Sequence, residues 1–394
     1  MPAKAYTDRG VSPTKDDVKR AVAGQSRGIF PGAFCKILPD VAGDPDWCTV
    51  VHADGAGTKS SLAYMMYRET GDPTWFTGIA QDSLAMHTDD LACVGAVDGF
   101  LLSNTIGRNA HRIDADCIAA VIRGYDDAIA RMDRLGIRIT MTGGETADVG
   151  DLVRTAIVDS TIVVRLPRTD VVDASGIRPG NLIIGLASFG QATYEDRVNS
   201  GIGSNGLTAA RHLLLSSVYR DRYPESFSET IDPAKAYVGS FELDDALPGG
   251  DVSRGAGMTA GEALLSPTRT YLPVVRDILA ACRPGISGLI HCTGGGLVKS
   301  RDFGSGLRYV KDRLFEAPAV FQAIRASGAV DPSEMYQIFN MGHRLEVYCD
   351  PDAAAEVIRI SAAYGISAQA VGRVERSEGK NQVVIRDLGQ EYVF

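Results

Sequence analysis

The sequence predicts a mixed α/β (α+β) fold in two domains, and three observations support this prediction. The chain has 394 residues, more than one hydrophobic core usually organises. Apolar strand-like segments alternate with helical periodicities in both halves. A loop that begins near Pro167 ends in the turn at Pro179-Gly180, which precedes a new apolar strand. We therefore place the two domains at residues 1–170 and 171–394.

The first domain alternates strand and helix patterns. Apolar residues recur every three or four positions between residues 118 and 132, which indicates a helix, and Gly136 ends it. The segment "IRITMT" is predicted to be a strand that ends at Gly143-Gly144. In chain order we predict a strand at 47–53, a helix at 78–94, a strand at 100–106, the helix around 118–132, a strand at 137–142 and a long strand at 155–166.

The second domain ends in a strand, a helix and two strands, which is similar to half of a ferredoxin-like unit. Asp350 and Pro351 predict the start of that helix, and Gly365 predicts its end. Further strands are predicted in "NLIIGLAS", "ISGLIH" and "RLEVYCD", with a helix in "APAVFQAIRAS". Residues 213–260 carry few periodic signals, and we interpret them as an insertion or mobile excursion.

Composition and charge exclude several classes of protein. Hydrophobic residues make up 45% and charged residues 23%, as in soluble globular proteins. The net charge of −9 and the pI near 5.3 argue against binding to nucleic acid or to an anionic membrane. No stretch of 18 apolar residues occurs, and the seven cysteines form no CxxC pair. We predict a reduced, cytoplasmic protein.

The stretch "VVHADGAGTKSSLAY" places ligand-binding chemistry between a strand and a helix. It is not a Walker A loop, because the GxxxxGK[ST] spacing is missing. Asp54 is a candidate Mg²⁺ ligand, and the backbone of Gly55, Gly57 and Thr58 together with Lys59 is a candidate phosphate site. The alternative is an ordinary tight turn with a capping aspartate and a solvated lysine.

The stretch "GIAQDSLAMHTDDLACVGA" is a predicted helix with three acidic residues. Asp82 and Asp89 lie seven positions apart and so share a face, with Asp90 nearby. Burying carboxylates on an apolar helix is costly without a cation or hydrogen-bond donors. A Mg–ATP site is therefore plausible chemistry, and a solvated stripe formed by Asp89 and Asp90 is the alternative.

Three glycine-containing segments follow predicted strands. "MTGGETADVGD" brings Gly143, Gly144, Glu145 and Thr146 to a strand end, where the backbone can approach a nucleotide. In "SGIGSNGLTAAR", Ser204 and Asn205 are candidate helix caps before Gly206, and such a helix start attracts anions. "HCTGGGLVKS" offers a second backbone cradle, and His291 lies at the end of the strand that leads into it. Each segment taken singly also fits an ordinary connection. The cradle comprises Thr293, Gly294, Gly295 and Gly296.

Taken together, these segments resemble the aminoimidazole ribonucleotide synthetase family, also called phosphoribosylformylglycinamidine cyclo-ligase. The family's D-G-x-G-T-K loop matches residues 54–59, and its aspartate-rich helix matches "DSLAMHTDDL" in part. Its G-G-E-T-A-E motif matches residues 143–148, with aspartate as the last residue. "SPTRTYLP", "HCTGGG", "EMYQIFNMG" and "AYTDRGV" are also similar to family segments. Gly203 stands where the family has histidine in H-S-N-G, and residues 191–202 look inserted.

The resemblance implies a homodimer whose N-terminal domains, residues 1–170, bind ATP and form a shared barrel. It implies a ferredoxin-like C-terminal α/β domain with the active site between the domains. The implied reaction is ATP-dependent ring closure of formylglycinamidine ribonucleotide in purine biosynthesis, which makes the chain a ligase with ATP and Mg²⁺ as cofactors. No nucleic-acid or membrane partner is expected.

The resemblance also suggests a role for each candidate residue. Catalytic roles fall to Lys59, Asp82 and His291. The metal ligands are Asp54, Asp82, Asp90 and Glu145, and the nucleotide loops are residues 54–59 and 143–146. The substrate-binding residues are Ser204, Asn205, Gly206, Arg269, Thr293, Gly294, Gly295 and Gly296.

Two alternatives stay open. One is another ATP-using enzyme of the same superfamily, a small-molecule kinase or synthetase such as thiamine-phosphate kinase or selenophosphate synthetase. The other is a nucleotide-binding paralogue without turnover, which the glycine at position 203 keeps in consideration.

Overall fold

Two large β-sheets, one in each half of the chain, agree with the predicted two-domain α/β organisation. The computed structural model describes residues 4–12 and 16–394. A five-stranded sheet with order β1-β2-β5-β3-β4 forms the first domain. Its strands are β1 (Leu38–Pro39), β2 (Trp47–Gly55), β3 (Phe100–Arg108), β4 (Ile139–Asp148) and β5 (Ala156–Pro167). Its helices are α1 (Lys4–Thr7), α2 (Asp16–Ala21), α3 (Lys59–Thr70), α4 (Thr77–Ala92) and α5 (Ala115–Arg134).

The first sheet is mixed, because β3 pairs in parallel with β4 while β5 pairs antiparallel with both β2 and β3. Along β5, every second side chain from Ala156 to Leu166 is buried, so one face of this sheet packs on the core. Helix α4 packs on that buried face, and α5 packs beside α4. Nearly all of α4 is therefore buried, including its acidic residues.

The prediction that a strand ends at Gly143-Gly144 is wrong. Strand β4 continues through both glycines to Asp148, because Gly144 pairs with Asn104 and Glu145 pairs with Thr105 on β3. A side chain at position 144 would meet the Asn104 carbonyl oxygen at 2.5 Å, so glycine is needed where the two backbones approach.

The second domain is built on a seven-stranded sheet with order β14-β13-β10-β12-β6-β11-β9. Its central strands β6 and β11 are almost entirely buried, as their continuous apolar sequences predict. Its strands are β6 (Leu182–Ala187), β9 (Ile286–His291), β10 (Leu307–Lys311), β11 (His343–Cys349), β12 (Ala368–Arg376), β13 (Gln382–Asp387) and β14 (Gln390–Val393). Strands β7 (Phe189–Gly190) and β8 (Asn199–Ser200) form a separate two-stranded sheet. The helices are α6 (Leu207–Leu214), α7 (Val218–Arg222), α8 (Ala260–Leu265), α9 (Leu272–Cys282), α10 (Ala319–Ala326), α11 (Pro332–Ile338) and α12 (Pro351–Ala363).

The segment 213–260, interpreted from sequence as a mobile excursion, is packed into the protein. Tyr219, Tyr237, Leu243 and Leu247 in this segment are buried. The Tyr219 hydroxyl accepts a hydrogen bond from the Leu243 backbone N–H at 2.7 Å. Short turns capped by aspartates replace regular elements here, which explains why the sequence shows little periodicity.

Two further findings concern thiols and membranes. Every cysteine lies within the described residues, and all seven are free thiols, as their spacing predicts. A helix long and apolar enough to cross a bilayer does not occur in the described part of the chain.

A buried histidine in α6 predicts loss of stability in acid. His212 accepts a hydrogen bond from the Tyr237 backbone N–H at 3.1 Å, and burial lowers the pKa of His212 to about 2. The unfolded chain binds this proton near pH 6.5, so stability falls as the pH drops from about 6.5 towards 2. We expect this histidine alone to cost about 2–3 kcal/mol between pH 7 and pH 4.5.

Urea unfolding of wild type and His212→Gln at both pH values checks this expectation. The difference between the two pH values should shrink in the variant, whose amide oxygen can still accept the Tyr237 N–H. His111→Gln at an exposed histidine is the matched control. An equal acid effect in all three proteins would contradict the assignment.

Candidate active site

The loop at residues 54–59 connects β2 to α3 and leaves backbone donors available. Gly57 has φ +61°, a left-handed conformation that suits glycine in a tight turn. Thr58 caps α3 by position, but its side chain makes no capping hydrogen bond with the described residues. The first N–H groups of α3 therefore lack a side-chain cap, and uncapped helix starts of this kind can attract anions.

Three of the predicted ligand loops meet in the structure. The Thr58 hydroxyl lies 2.8 Å from the hydroxyl of Thr208 in α6. The Asn205 side-chain oxygen accepts a hydrogen bond from the Gly294 backbone N–H at 3.1 Å. Ser204 contacts Thr268 at 3.0 Å between their hydroxyl oxygens. Residues 54–59, 203–208 and 293–296, which come from both domains, thus lie next to one another.

The predicted caps of α6 are not the observed ones. Gly206, with φ +85°, is the N-cap residue, and Ser204 and Asn205 instead hold the neighbouring loops. A Cβ at position 206 would lie 2.7 Å from the ring of Phe339, so this position also needs glycine for packing. In the second cradle, a Cβ at Gly294 meets no described atom within 4 Å, which leaves this turn open to a ligand.

Lys59 and Asp82 form a fully buried ion pair rather than a phosphate contact. The Lys59 ammonium donates to Asp82 Oδ1 at 2.8 Å and to the Ser266 carbonyl at 2.5 Å. Both side chains are 0% exposed, and burial lowers the pKa of Lys59. Asp82 Oδ1 also accepts from the Thr268 backbone N–H and hydroxyl, while Oδ2 has no partner among the described residues. In this structure the pair fastens α3 and α4 to the 266–268 loop.

Arg269 does not reach the site, which corrects its assignment as a substrate ligand. Its guanidinium is 0% exposed and binds both carboxylate oxygens of Glu195, at 2.8 and 2.5 Å. The remaining N–H groups donate to the carbonyls of Ala187, Phe189 and Gly190. Glu195 lies in the segment 191–202 that looked inserted, so this segment supplies the counter-ion for a buried arginine.

Arg269→Lys should therefore impair folding rather than substrate affinity. Lysine offers three donors instead of five and cannot bind both Glu195 oxygens in a fork. We expect a loss of about 3 kcal/mol or more in the free energy of unfolding. The measurement is urea unfolding together with the KM of the folded fraction. A raised KM at unchanged stability would return Arg269 to the substrate site.

Asp89 and Asp90, the last acidic residues of α4, are buried, so the solvated-stripe alternative is wrong. Asp89 Oδ1 accepts hydrogen bonds from the Thr270 hydroxyl and the Tyr271 N–H, both at 2.8 Å. Its Oδ2 lies 3.2 Å from the Arg344 guanidinium of β11. Helix α4 is thereby attached to the second domain.

His291 is also fully buried, and both of its ring nitrogens make hydrogen bonds. Its Nδ1 lies 2.7 Å from Asp90 Oδ1, and its Nε2 accepts from Arg344 Nε at 3.0 Å. Because Arg344 can only donate, the Nδ1–H of His291 donates to Asp90. Although burial alone would raise the pKa of Asp90, hydrogen bonds from His291 and His52 hold it well below its usual range. Asp90 is thus an oriented, ionised carboxylate.

A second pair of histidines lies on the other side of Asp90. His52 Nε2 lies 3.3 Å from Asp90 Oδ2, and His52 Nδ1 lies 3.0 Å from His87 Nδ1. Burial lowers the pKa of His87 to about 3, so this ring is neutral, and its Nε2 lies 2.9 Å from the Ser160 hydroxyl. Burial also opposes protonation of His52, but the bond to Asp90 raises the pKa of His52 overall.

Three carboxylates lie near the loop at residues 54–59, with Asp90 on the face of the sheet that α4 covers and Asp159 on the outer face. Removal of water raises the pKa values of Asp54 and Asp159, and each is raised further by a neighbouring carboxylate, Asp90 for Asp54 and Asp54 for Asp159. A divalent cation would relieve this mutual repulsion, and Mg²⁺ usually binds one or two carboxylate groups of a protein. The residues present therefore fit the metal that the resemblance implies.

The four predicted metal ligands are not brought together. Asp82 and Asp90 are eight residues apart on α4, about 12 Å along the helix axis, so one ion cannot bind both. Glu145 lies in the same row of the sheet as Gly55, but Asp159 and Thr105 stand between them. Three strand spacings amount to about 14 Å. Among these four, Asp54 and Asp90 are the pair in which one carboxylate raises the pKa of the other.

Gly203 faces Arg344. The backbone at Gly203 has φ +70°, and a Cβ there would lie 3.4 Å from Arg344 Nη1. The space that a side chain at this position would enter is thus bordered by a buried guanidinium. This geometry explains how glycine is accommodated at the position that the family motif fills with histidine.

Sequence reasoning missed several residues of this site. His52 and Asp159 lie on strands next to the loop, and the alternation of β5 could have singled out Asp159 as a charge beside a strand end. His87 lies in the acidic helix that was recognised. Arg344 follows "NMGH" in a recognised family segment, but its partners are more than fifty residues away and carry no local signal.

Comparison with known proteins agrees with this architecture. Residues 34–164 match the family described as "AIR synthase related protein, N-terminal domain", and residues 178–385 match its C-terminal domain. A phosphoribosylformylglycinamidine cyclo-ligase of Methanococcus maripaludis is 28% identical over 94% of this chain and 92% of its own length. The chloroplastic/mitochondrial cyclo-ligase of Vigna unguiculata is 30% identical over 90% of this chain and 76% of its own length.

Among solved structures, T. maritima PurL complexed with FGAR has a TM-score of 0.54 at 14% identity. It covers 96% of this chain, which spans about half (49%) of that PurL chain. A chain of the HypE–HypF complex also has a TM-score of 0.54, at 12% identity, and covers 96% of this chain and 98% of its own length. These likenesses concern the fold. On the family matches and the curated relatives, the chain belongs to the AIR synthase related family and is an enzyme of its phosphoribosylformylglycinamidine cyclo-ligase branch.

Proposed function

We propose that this enzyme uses ATP to close formylglycinamidine ribonucleotide into aminoimidazole ribonucleotide, with release of ADP and phosphate. The observation that carries the proposal is the meeting of the 54–59, 203–208 and 293–296 loops, which brings two glycine-containing turns and the start of α3 together. The names of the curated relatives support the substrate. A T. maritima PurL of the same fold, with a TM-score of 0.50 to this chain, is described as complexed with ADP, which supports ATP as the nucleotide.

In this proposal the start of α3 and the loop before it bind the phosphates of ATP. Asp54 and Asp90 would hold Mg²⁺, which supplies charge neutralisation for the transferred phosphoryl group. Gly294 to Gly296 and Asn205 would hold the ribose phosphate of the substrate. Positioning of this kind accounts for most of the catalysis of phosphoryl transfer.

The chemistry then proceeds in two steps. The formyl oxygen of the substrate attacks the terminal phosphorus of ATP, and ADP leaves. The amidine nitrogen attacks the activated carbon, the carbon–oxygen bond to phosphate breaks, and loss of a proton completes the five-membered ring. Preorganised donors around the phosphoryl group lower the barrier of the first step, because they need no reorganisation as charge develops.

Buried residues act indirectly in this scheme. We assign His291 as a positioning residue that keeps Asp90 ionised and oriented, since both of its ring nitrogens are engaged. Lys59 and Asp82 hold α3 and α4 in register beneath the phosphate loop. The catalytic roles first assigned to these three side chains thus become supporting roles in the proposal.

The test is to follow ADP and the aminoimidazole product together, from Mg–ATP with and without formylglycinamidine ribonucleotide. Matched, substrate-dependent rates are the expected result. ATP binding without substrate-dependent ADP would contradict it, and would favour a relative with another acceptor or a paralogue without turnover. The glycine at position 203, where the family motif has histidine, is the feature that supports the paralogue without turnover.

We also propose that the enzyme is a homodimer formed through the outer face of the first sheet. Val51, Leu101 and Ile157 are exposed on this face at 52, 49 and 40%. Val51 and Leu101 flank Val163 across three paired strands, so the apolar surface is continuous. A contiguous apolar sheet face of this kind marks an interface, and a second copy joined by two-fold symmetry would cover it.

Leu101→Lys should break this dimer. Two lysines brought together at a symmetric interface repel and lose apolar contact, so association should weaken and Kd should rise at least about tenfold. Sedimentation velocity of the wild type and the variant measures the change. Leu388→Lys, at an exposed leucine of the second domain, is the control and should leave the dimer intact. A monomeric wild type at micromolar concentration would contradict the proposed interface.

A further inference from the structure

One side-chain cluster combines a thiol, an imidazole and a carboxylate from three different parts of the first domain. Ligand atoms of Cys35, His52 and Asp90 all lie within 4.8 Å of one another. Within residues 4–12 and 16–394, no other group of three or more His, Cys, Asp or Glu side chains is this close. Cys35 precedes β1, His52 lies in β2, and Asp90 lies near the end of α4.

The spacing of these atoms fits a tetrahedral metal ion. His52 Nε2 and Asp90 Oδ2 are 3.3 Å apart. With Zn–N and Zn–O bonds of about 2.0–2.2 Å, a tetrahedral ion places its nitrogen and oxygen ligands about 3.4 Å apart. The Cys35 Sγ donates to the Asp90 backbone carbonyl at 3.3 Å and lies within 4.8 Å of both the His52 and the Asp90 ligand atoms, so it can supply the third bond.

Hydrogen bonds from neighbouring side chains orient the His52 and Asp90 ligands, as they do in metal sites. His52 Nδ1 is held by His87, so Nε2 is the nitrogen turned towards Asp90. Asp90 Oδ1 accepts from His291, which leaves Oδ2 towards the cluster. Metal-binding histidines and carboxylates are commonly oriented by such outer hydrogen bonds, which fix the ring and raise ligand basicity.

We propose that Cys35, His52 and Asp90 form a binding site for a soft divalent transition metal, Zn²⁺ above all, with a fourth position open to water. A thiolate and an imidazole are poor ligands for Mg²⁺, which prefers oxygen, so this site is chemically distinct from the proposed Mg²⁺ pair. The two sites share Asp90. Zn²⁺ would therefore compete with Mg²⁺–nucleotide for the same carboxylate.

Such an ion would also fasten the segment that carries Cys35. The ring of the adjacent Phe34 stacks on Phe303 of the second domain at 5.3 Å, and the Lys299 ammonium lies 5.8 Å from the centre of the same ring. Metal binding at Cys35 would tie this segment to β2 and α4 while Phe34 contacts the second domain. The expected consequence is inhibition by Zn²⁺ that excess Mg²⁺ relieves.

The test uses Co²⁺ as a visible probe on the metal-free full-length enzyme, without nucleotide or substrate, so that it stands apart from the proposed reaction. We expect one Co²⁺ per chain, the absorption of tetrahedral Co²⁺, and a thiolate-to-cobalt charge-transfer band that Zn²⁺ abolishes by displacement. Cys35→Ser should remove the charge-transfer band and weaken binding at least roughly tenfold. Cys117→Ser, at a buried cysteine in α5, is the matched control and should behave as wild type.

His52→Gln provides an independent arm, because His52 is partly exposed and its loss is tolerated more easily by the fold. Thermal unfolding establishes that each variant is folded before titration. An unchanged Co²⁺ spectrum in Cys35→Ser, or in His52→Gln if the serine variant does not fold, would overturn the proposal. So would the absence of stoichiometric Co²⁺ binding by the wild type.

Discussion

Asp54→Asn is expected to lower kcat by about 100-fold or more without destabilising the fold. The carboxylate lies in the loop at residues 54–59 near Asp90, where it would hold the proposed metal. Losing one preorganised electrostatic contact to a transferring group costs about this much. Asparagine is isosteric with aspartate, so the replacement leaves packing unchanged, and its amide oxygen can still accept the Gly55 N–H.

The effect on stability should have the opposite sign to the effect on activity. Removal of water and the Asp90 charge raise the pKa of Asp54 in the folded protein. A carboxyl group with a raised folded pKa penalises folding once it is ionised, so the penalty is absent well below pH 4 and fully present at pH 7. The variant should therefore match wild type near pH 3 and exceed it at pH 7.

Steady-state kinetics and urea unfolding at both pH values measure the two effects. Asp151→Asn, at an exposed aspartate between β4 and β5, is the control and should change neither. Wild-type activity in Asp54→Asn would remove this residue from the metal site. A loss of both activity and stability would mean that the carboxylate supports the fold instead.

Lys59→Met is expected to destabilise the enzyme by about 3–5 kcal/mol. Removing one partner of a buried ion pair leaves the other charge uncompensated, and Asp82 is 0% exposed. Methionine fills similar space, so the loss reflects charge rather than a cavity. For a protein stabilised by about 5–15 kcal/mol, such a change would leave a substantial unfolded fraction on heating.

The double variant Lys59→Met/Asp82→Asn separates charge from shape. With the carboxylate neutralised, part of the lost stability should return, while the Thr268 donors can still bond to the amide oxygen. Urea unfolding of the three proteins measures the coupling. If Lys59→Met were as stable as wild type but inactive, the ammonium would be acting on a phosphate, as the sequence first suggested.

The parts of this protein that sequence could predict are those with local signals. The strand, loop and helix around residues 54–59, the acidic helix α4 and the long strand β5 follow from periodicity, glycine placement and turn chemistry. The cradle at residues 293–296 follows from its three glycines. These features also carry the family resemblance, which explains why fold and family were predicted together.

What sequence could not predict depends on distant partners. Arg269 looks like a substrate ligand until Glu195 is found beside it, and Lys59 looks like a phosphate ligand until Asp82 and Ser266 enclose it. A charge near a glycine loop has the same local signature whether it faces the ligand or the core. Strand order likewise decides that Glu145 lies far from Asp54, and alternation within one strand carries no information about order.

The contact between Arg344 and the end of α4 bears on how the two halves of this enzyme can be inherited and engineered. Arg344 belongs to the second domain, whereas Asp89 and Asp90, which it pairs with directly and through His291, belong to the first. Either domain produced alone would expose charged side chains that are buried in the whole enzyme, without the partners that pair with them there. The domains are thus poor candidates for exchange with those of distant relatives, and they must accumulate substitutions at this contact in step.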